Sequence, residues 1–184
     1  MNYSLPHTIQ NCVGEKIIFQ KVEKTPDGDR LTGEAFCDPG CGPIMHTHFK
    51  QDEGMLIISG RMGYQILGEE PCFAGPGESV VFKRGVPHKF WAADNQPLHC
   101  KAWLQPVNTI IFYLTAIYAA QNKSGSGKPE VFDGAYLLKR YASEYDLVEM
   151  PWLVKKVVIP LTYYSGMLLG KYKHFKNAPK PVIN

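Results

Sequence analysis

Eight short segments rich in β-branched and aromatic residues fill the chain up to about Pro106. They read KIIFQKVE, RLTGEAFCD, GPIMHTHF, EGMLIISG, GYQILG, ESVVFKRG, HKFWAA and LHCKAWLQ, and turn signals such as PDGD, DPGCGP, AGPGE and RGVP punctuate them. No helix-length periodic stretch interrupts the series. Such a series predicts a β-sandwich or barrel and excludes alternating β-α-β units. Beyond Pro106 the pattern changes. NTIIFYLTAIYAAQN is long enough for a helix with Asn108 as its N-cap, and FDGAYLLKRYASEYD reads as a second helix. NKSGSGKP lies between them as a flexible loop. PWLVKKVVIPLTYYSGMLLGKYKHF starts well for a helix at Pro151 and then meets Pro160. A proline inside a helix removes a hydrogen bond and clashes with the preceding turn, so a kink or two short helices are predicted there. The expected organisation is a β-barrel over residues 1–106 and a helical extension over 107–184, packed on the barrel or on a partner chain.

The 184 residues suit one domain with an appendage, and an apolar share of 45% provides for a buried core. The net charge of +3 is unevenly placed. Residues 151–184 hold six lysines and no acids, so the tail is +6 and the body, with 14 basic and 17 acidic residues, is −3. Mixed with Tyr, His and Phe, these lysines read as a solvated helix end, with no nucleic-acid partner. An interfacial helix flanked by Trp152, Tyr172 and lysines is the alternative. The uncharged run VVIPLTYYSGMLLG has fourteen residues, too few to cross a bilayer, so no transmembrane segment is expected. GSGKP lacks the glycine spacing and the following Ser/Thr of a phosphate loop. MNYSLPHTIQ has neither the basic start nor the apolar run of a signal peptide, which predicts a cytoplasmic protein. Its five cysteines (Cys12, Cys37, Cys41, Cys72 and Cys100) are odd in number and are expected to be reduced.

The densest chemistry lies in GCGPIMHTHFKQDEGMLIISG. Side chains two apart on a strand share a face, so His46 and His48 can enter a barrel interior together. Glu53 begins the next strand and is expected to reach the same point from the neighbouring strand, with Asp52 facing away. GPGESVVFKRGVPHKFW supplies a fourth partner, His88, delivered by a turn at Gly85 and Pro87. Neutral imidazoles with one carboxylate suit a divalent transition metal, and four protein ligands leave about two positions open on a six-coordinate ion. A competing structural zinc site would join Cys37 and Cys41 to His46 and His48.

These residues resemble the two motifs of the cupin superfamily. Gly40, His46, His48, Glu53 and Gly60 match the first motif at every element, with four residues before the glutamate. Gly77, Gly85 and His88 match the second, whereas Lys83 stands where proline is usual and Ala92 where asparagine is usual. The resemblance covers roughly residues 30 to 105. It implies a mainly β fold, a double-stranded β-helix or jelly roll, here with C-terminal helices. It also implies one divalent metal ion (Fe, Mn, Ni, Cu or Zn) held by His46, His48, Glu53 and His88.

Strand alternation from Glu53 and His88 nominates Met55, Ile57, Tyr64 and Phe90 as an apolar lining for a small-molecule substrate. Among cupins, a site with three histidines and one glutamate resembles the dioxygenases, including those acting on flavonols. There the metal polarises a chelated substrate and positions O₂, and Glu53 would be the catalytic residue, shifting between ligand and base. A metal-dependent isomerase or other non-oxidative enzyme is the alternative, and a non-catalytic ligand-binding or sensing module is a third reading, since a fold alone does not choose among them. Barrels of this family often pair through outer strands, which predicts a homodimer.

Overall fold

The structure, a computed structural model, describes residues 3–183; residues 1, 2 and 184 of the two expected segments lie outside it. Ten strands come first: β1 His7–Gln10, β2 Glu15–Glu23, β3 Arg30–Cys37, β4 His46–His48, β5 Asp52–Ser59, β6 Met62–Ile66, β7 Cys72–Ala74, β8 Ser79–Phe82, β9 His88–Ala92 and β10 Leu98–Gln105. Then follow α1 Ile110–Ser124, α2 Val131–Arg140, β11 Tyr145–Leu147, a π-helical turn at Val154–Val158 that leads into α3 Ile159–Leu168, and a 3₁₀ turn at Lys173–Phe175. One sheet has the order β1-β2-β3-β10-β5-β8 and the other β11-β4-β9-β6-β7. Every described pairing is antiparallel. The chain is a mainly β double-sheet jelly roll followed by helices, as the strand series and the resemblance predict.

Alternation places the core. Along β3, Leu31, Ala35 and Cys37 are buried while Glu34 and Phe36 face outward. Along β5, Glu53, Met55 and Ile57 face in. Met55, Ile57, Met62, Phe82, Phe90 and Leu98 fill one part of the sandwich. A second cluster joins barrel residues Phe19, Leu31 and Leu104 to Ile110, Tyr113, Leu137 and Tyr141 of the helical segment. Each such side chain contributes about 1.5–3 kcal/mol by leaving water.

Four local features differ from the expectations or were not foreseen. The N-cap of α1 is Thr109; Asn108 precedes it in a left-handed conformation at φ 45°. The second helix stops at Arg140, and the residues expected to extend it form β11, which pairs with β4. Burial decides this: Glu144 and Tyr145 are withdrawn from solvent, and the Glu144 carboxylate accepts hydrogen bonds from the backbone N–H groups of Thr109 and Val182. The short strands β1 and β7 were not foreseen. Near Pro160 the helix continues through a wide turn in which the Ile159 N–H donates to Val154 O, five residues back. Such a turn commonly absorbs an irregularity in the helical ladder.

All five cysteines are free thiols. Burial pushes the Cys37 thiol far up and the Cys100 thiol up to about 12, whereas Cys12 and Cys72 are exposed. Because the thiolate is the reacting species, iodoacetamide applied to the native protein should label Cys12 and Cys72 and spare Cys37 and Cys100. Mass spectrometry of the peptides checks this; rapid labelling of Cys37 would contradict the barrel packing.

Candidate metal centre

The first ligand strand is fixed by neighbours on both sides. β4 pairs with β9 through His46 opposite His88, and with β11 through His46 opposite Leu147 and His48 opposite Tyr145. All three histidines thus come from the five-stranded sheet. Glu53 comes from the facing sheet, where β5 lies between β10 and β8. The expectation that it reaches in from the strand beside β4 is therefore corrected: the group spans the sandwich from sheet to sheet. The turn before β9 is held by Gly85, whose φ of +80° suits glycine and whose N–H donates to His48 O at 2.8 Å. Asp52 faces away, as expected. Its carboxylate accepts from the Arg84 backbone N–H at 2.8 Å and from the Arg84 guanidinium at 3.2 and 3.3 Å. The Arg84 side chain holds the Asp52 carboxyl below its ordinary range, opposed by burial.

One donor atom from each of His46, His48, Glu53 and His88 lies within 4.8 Å of all the others. Nε2 of His46 is 3.1 Å from Nε2 of His48. Glu53 Oε2 is 3.3 Å from His48 Nε2, 3.2 Å from His88 Nε2 and 4.0 Å from His46 Nε2. The outer nitrogens show which atoms hold protons. Nδ1 of His46 faces Ile44 O at 2.8 Å, and Nδ1 of His88 faces Val86 O at 2.9 Å. A carbonyl oxygen only accepts, so both Nδ1 atoms carry a proton, and in its neutral form each ring turns an Nε2 lone pair inward. Lone pairs facing one another and a carboxylate repel unless a cation lies among them. This donor set fits a metal ion, and backbone carbonyls on the far side of two rings are the outer partners that metal-bound histidines usually have.

Charge states agree with that fit. Burial, followed by the neighbouring His48 and His88, pushes His46 down to about 3, so its ring is neutral near pH 7. Burial opposes ionisation of Glu53, but the neighbouring imidazoles of His48 and His88 outweigh it and hold the carboxyl below its ordinary range. His46 has the most exposed side chain of the four, at 16%.

Residue packing around the group was only partly foreseen. Phe82 stacks on His88 at 4.0 Å between ring centroids, with planes 4° apart. The Tyr145 ring meets His48 edge-on at 5.6 Å. The Tyr145 hydroxyl lies 3.2 Å from both the Gln51 amide nitrogen and the Thr109 hydroxyl. Phe82 was legible as a strand residue but not as a wall of the site, and Tyr145 lay within a stretch read as helix. Of the four residues nominated as a lining, Met55, Ile57 and Phe90 are buried in one cluster and Tyr64 packs partly buried against it. Met55 is the next inward residue after Glu53, about 7 Å along the strand, and Ile57 is about twice as far. Cys37 and Cys41 are not members of the four-residue group, so the Cys₂His₂ zinc reading is set aside.

Comparison with known proteins is consistent with this geometry. A model of the cupin domain family matches residues 35–104. No curated protein matches the chain. Among solved structures, the chain is similar to the DMSP lyase DddQ from Ruegeria pomeroyi DSS-3, at 23% identity and a TM-score of 0.38 over 42% of this chain and 38% of that one. It is also similar to a sugar phosphate isomerase of the cupin superfamily from Silicibacter pomeroyi, at 16% identity and a TM-score of 0.43 over 50% and 60%. A recombinant oxalate oxidase in complex with glycolate matches at 16% identity and a TM-score of 0.44 over 53% and 55%. The match spans less than two thirds of each of those chains, and at these identities the likeness carries no reading of activity.

Proposed function

Since residues 35–104 are a cupin domain, we propose that the chain is a metal-dependent enzyme acting on a small organic molecule. His46, His48, Glu53 and His88 would hold one divalent transition-metal ion, of Fe, Mn, Ni, Cu or Zn. The inward-facing Nε2 lone pairs opposite an ionised carboxylate carry this reading. When bound, such an ion polarises an oxygen of the substrate and, if redox-active, supports reaction with O₂. The chain's own residues would do the rest. Glu53, held ionised among imidazoles, is positioned to accept a proton from a substrate hydroxyl. Phe82 keeps water from one face of His88. Met55, Ile57, Tyr64 and Phe90, which pack together in one cluster, would form the apolar lining, with Ile57 farther along β5 than Met55. Such a lining favours a substrate with an apolar or aromatic body and two adjacent oxygens.

We further propose dioxygenase chemistry, tested by oxygen uptake of metal-loaded protein against a panel of aromatic and enolic compounds with paired oxygens, flavonols included. Uptake that needs both metal and compound, and falls on the order of 100-fold or more in Glu53→Gln, supports it. Conversion of a compound with no oxygen consumed would replace it with a non-oxidative reaction at the same residues.

For the homodimer, the supporting feature is the outer face of the six-stranded sheet. Leu56, Val81 and Trp103 border a shallow groove of about 270 Å³ there, and Lys101 stands opposite Glu34 on the adjoining strand. Apolar residues with both charge signs suit a two-fold contact. Light scattering should give twice the chain mass, reduced to one chain by Val81→Glu.

A further inference from the structure

The C-terminal helix is apolar on two sides, yet only one side is covered. Its inner side is covered: Tyr163 packs against the core, and Tyr172, beyond the helix end, folds back so close to Gly166 that an added Cβ would collide with its ring. Its outer side carries Val157, Leu161, Tyr164 and Leu168 at the three- and four-residue steps of one helix face, extended by Trp152 and Leu153. Leu168 is 91% exposed, Trp152 69% and Leu161 64%. A helix that is apolar all round is ordinarily buried or in contact with lipid, and a contiguous exposed apolar patch marks an interaction site.

Charge selects the occupant. Lys156, Lys171, Lys173, Lys176 and Lys180 are exposed along the segment that carries this face, and residues 151–184 contain no acid. Of the nearby acids, Asp146 is engaged by Lys155, and Asp133 by Lys123 and His174, while Glu149, two residues before Pro151, is exposed. A second copy docked on the same face about a two-fold axis would set lysines against lysines. An anionic lipid surface offers an apolar layer beneath a negative one, and Trp152 and Tyr164 have the amphipathic rings that settle between the two. No helix among the described residues is long and apolar enough to cross a membrane, so the helix would lie in the interface plane. We propose that this face docks the protein peripherally on an anionic membrane.

The test is flotation of the full chain with vesicles of phosphatidylcholine alone or mixed with phosphatidylglycerol, at low and high salt. The expected result is co-flotation with the anionic vesicles, weakened by salt. Leu161→Glu/Leu168→Glu should lower it about tenfold or more, because both leucines lie on the inserting face. Lys171→Glu/Lys173→Glu should lower it too, each lost lysine weakening partition roughly fivefold. Both pairs are exposed, so unchanged circular dichroism and melting should accompany the loss. Failure of the wild type to float with either vesicle overturns the proposal. So does a dimer that Leu161→Glu/Leu168→Glu splits into monomers with no vesicle binding in either form, which would assign the face to a second copy.

Discussion

Glu53→Ala and His88→Ala are each expected to lower metal affinity on the order of 100-fold or more, while Asp52→Ala leaves it nearly unchanged. The contrast is the informative part, because Asp52 and Glu53 are adjacent acids on one strand. Glu53 supplies the only negative charge among three inward imidazole nitrogens, 3.2 Å from one and 3.3 Å from another. Without it, an ion would have three neutral donors and no compensating anion in a buried site. Asp52 instead binds Arg84 on the outside. Its removal should cost little, since the pair is partly exposed. Elemental analysis of untagged protein, followed by titration against a competing chelator, measures both. Metal should also stabilise the fold, by about 2.7 kcal/mol at a free-metal concentration a hundredfold above Kd. For a chain of this size that is a rise of roughly 5–11 °C in Tm, reversed by EDTA. Equal metal content in wild type and Glu53→Ala would sink the proposed ligand set.

Much of this site was legible because its information is local. The period of two that sets His46 and His48 on one face, and the turn residues ahead of His88, need no knowledge of distant parts of the chain. Gly60 and Gly85, with φ of +78° and +80°, are glycines where the backbone requires them, so motif spacing and turn geometry carry one signal. What escaped was non-local. β11 is three residues long and pairs with β4 across about a hundred positions of sequence. Nothing within YDL announces that; it was absorbed into a helix with a plausible start. The same blind spot hid Tyr145 behind His48 and misplaced Glu53, since sequence adjacency suggested a neighbouring strand where the chain crosses to the facing sheet. The N-cap shift from Asn108 to Thr109 is a smaller case, in which the buried carboxylate of Glu144 receives the Thr109 N–H and draws the helix start inward.

Tyr141→Ala should cost about 3–5 kcal/mol and lower Tm by roughly 6–20 °C, and the loss should fall on barrel and helices together. Tyr141 is completely buried just past the end of α2, with rings of Phe112 and Tyr113 about it at centroid distances of 5.6 and 6.0 Å. Its hydroxyl donates to Pro179 O at 2.8 Å. Truncation opens a cavity that backbone on several sides cannot collapse to fill. Tyr141→Phe keeps the ring and removes only that hydrogen bond, so it should cost about 1 kcal/mol. The cluster around Tyr141 also contains Phe19, Leu31 and Leu104 from the barrel. Leu104 stands opposite Glu53 in the strand register, so helical packing is continuous with the layer that carries a proposed ligand. Far-ultraviolet circular dichroism and release of bound metal should therefore report one shared transition, shifted equally in Tyr141→Ala. Were the helical extension a separate unit, its signal would melt early and the metal would stay bound at the wild-type temperature.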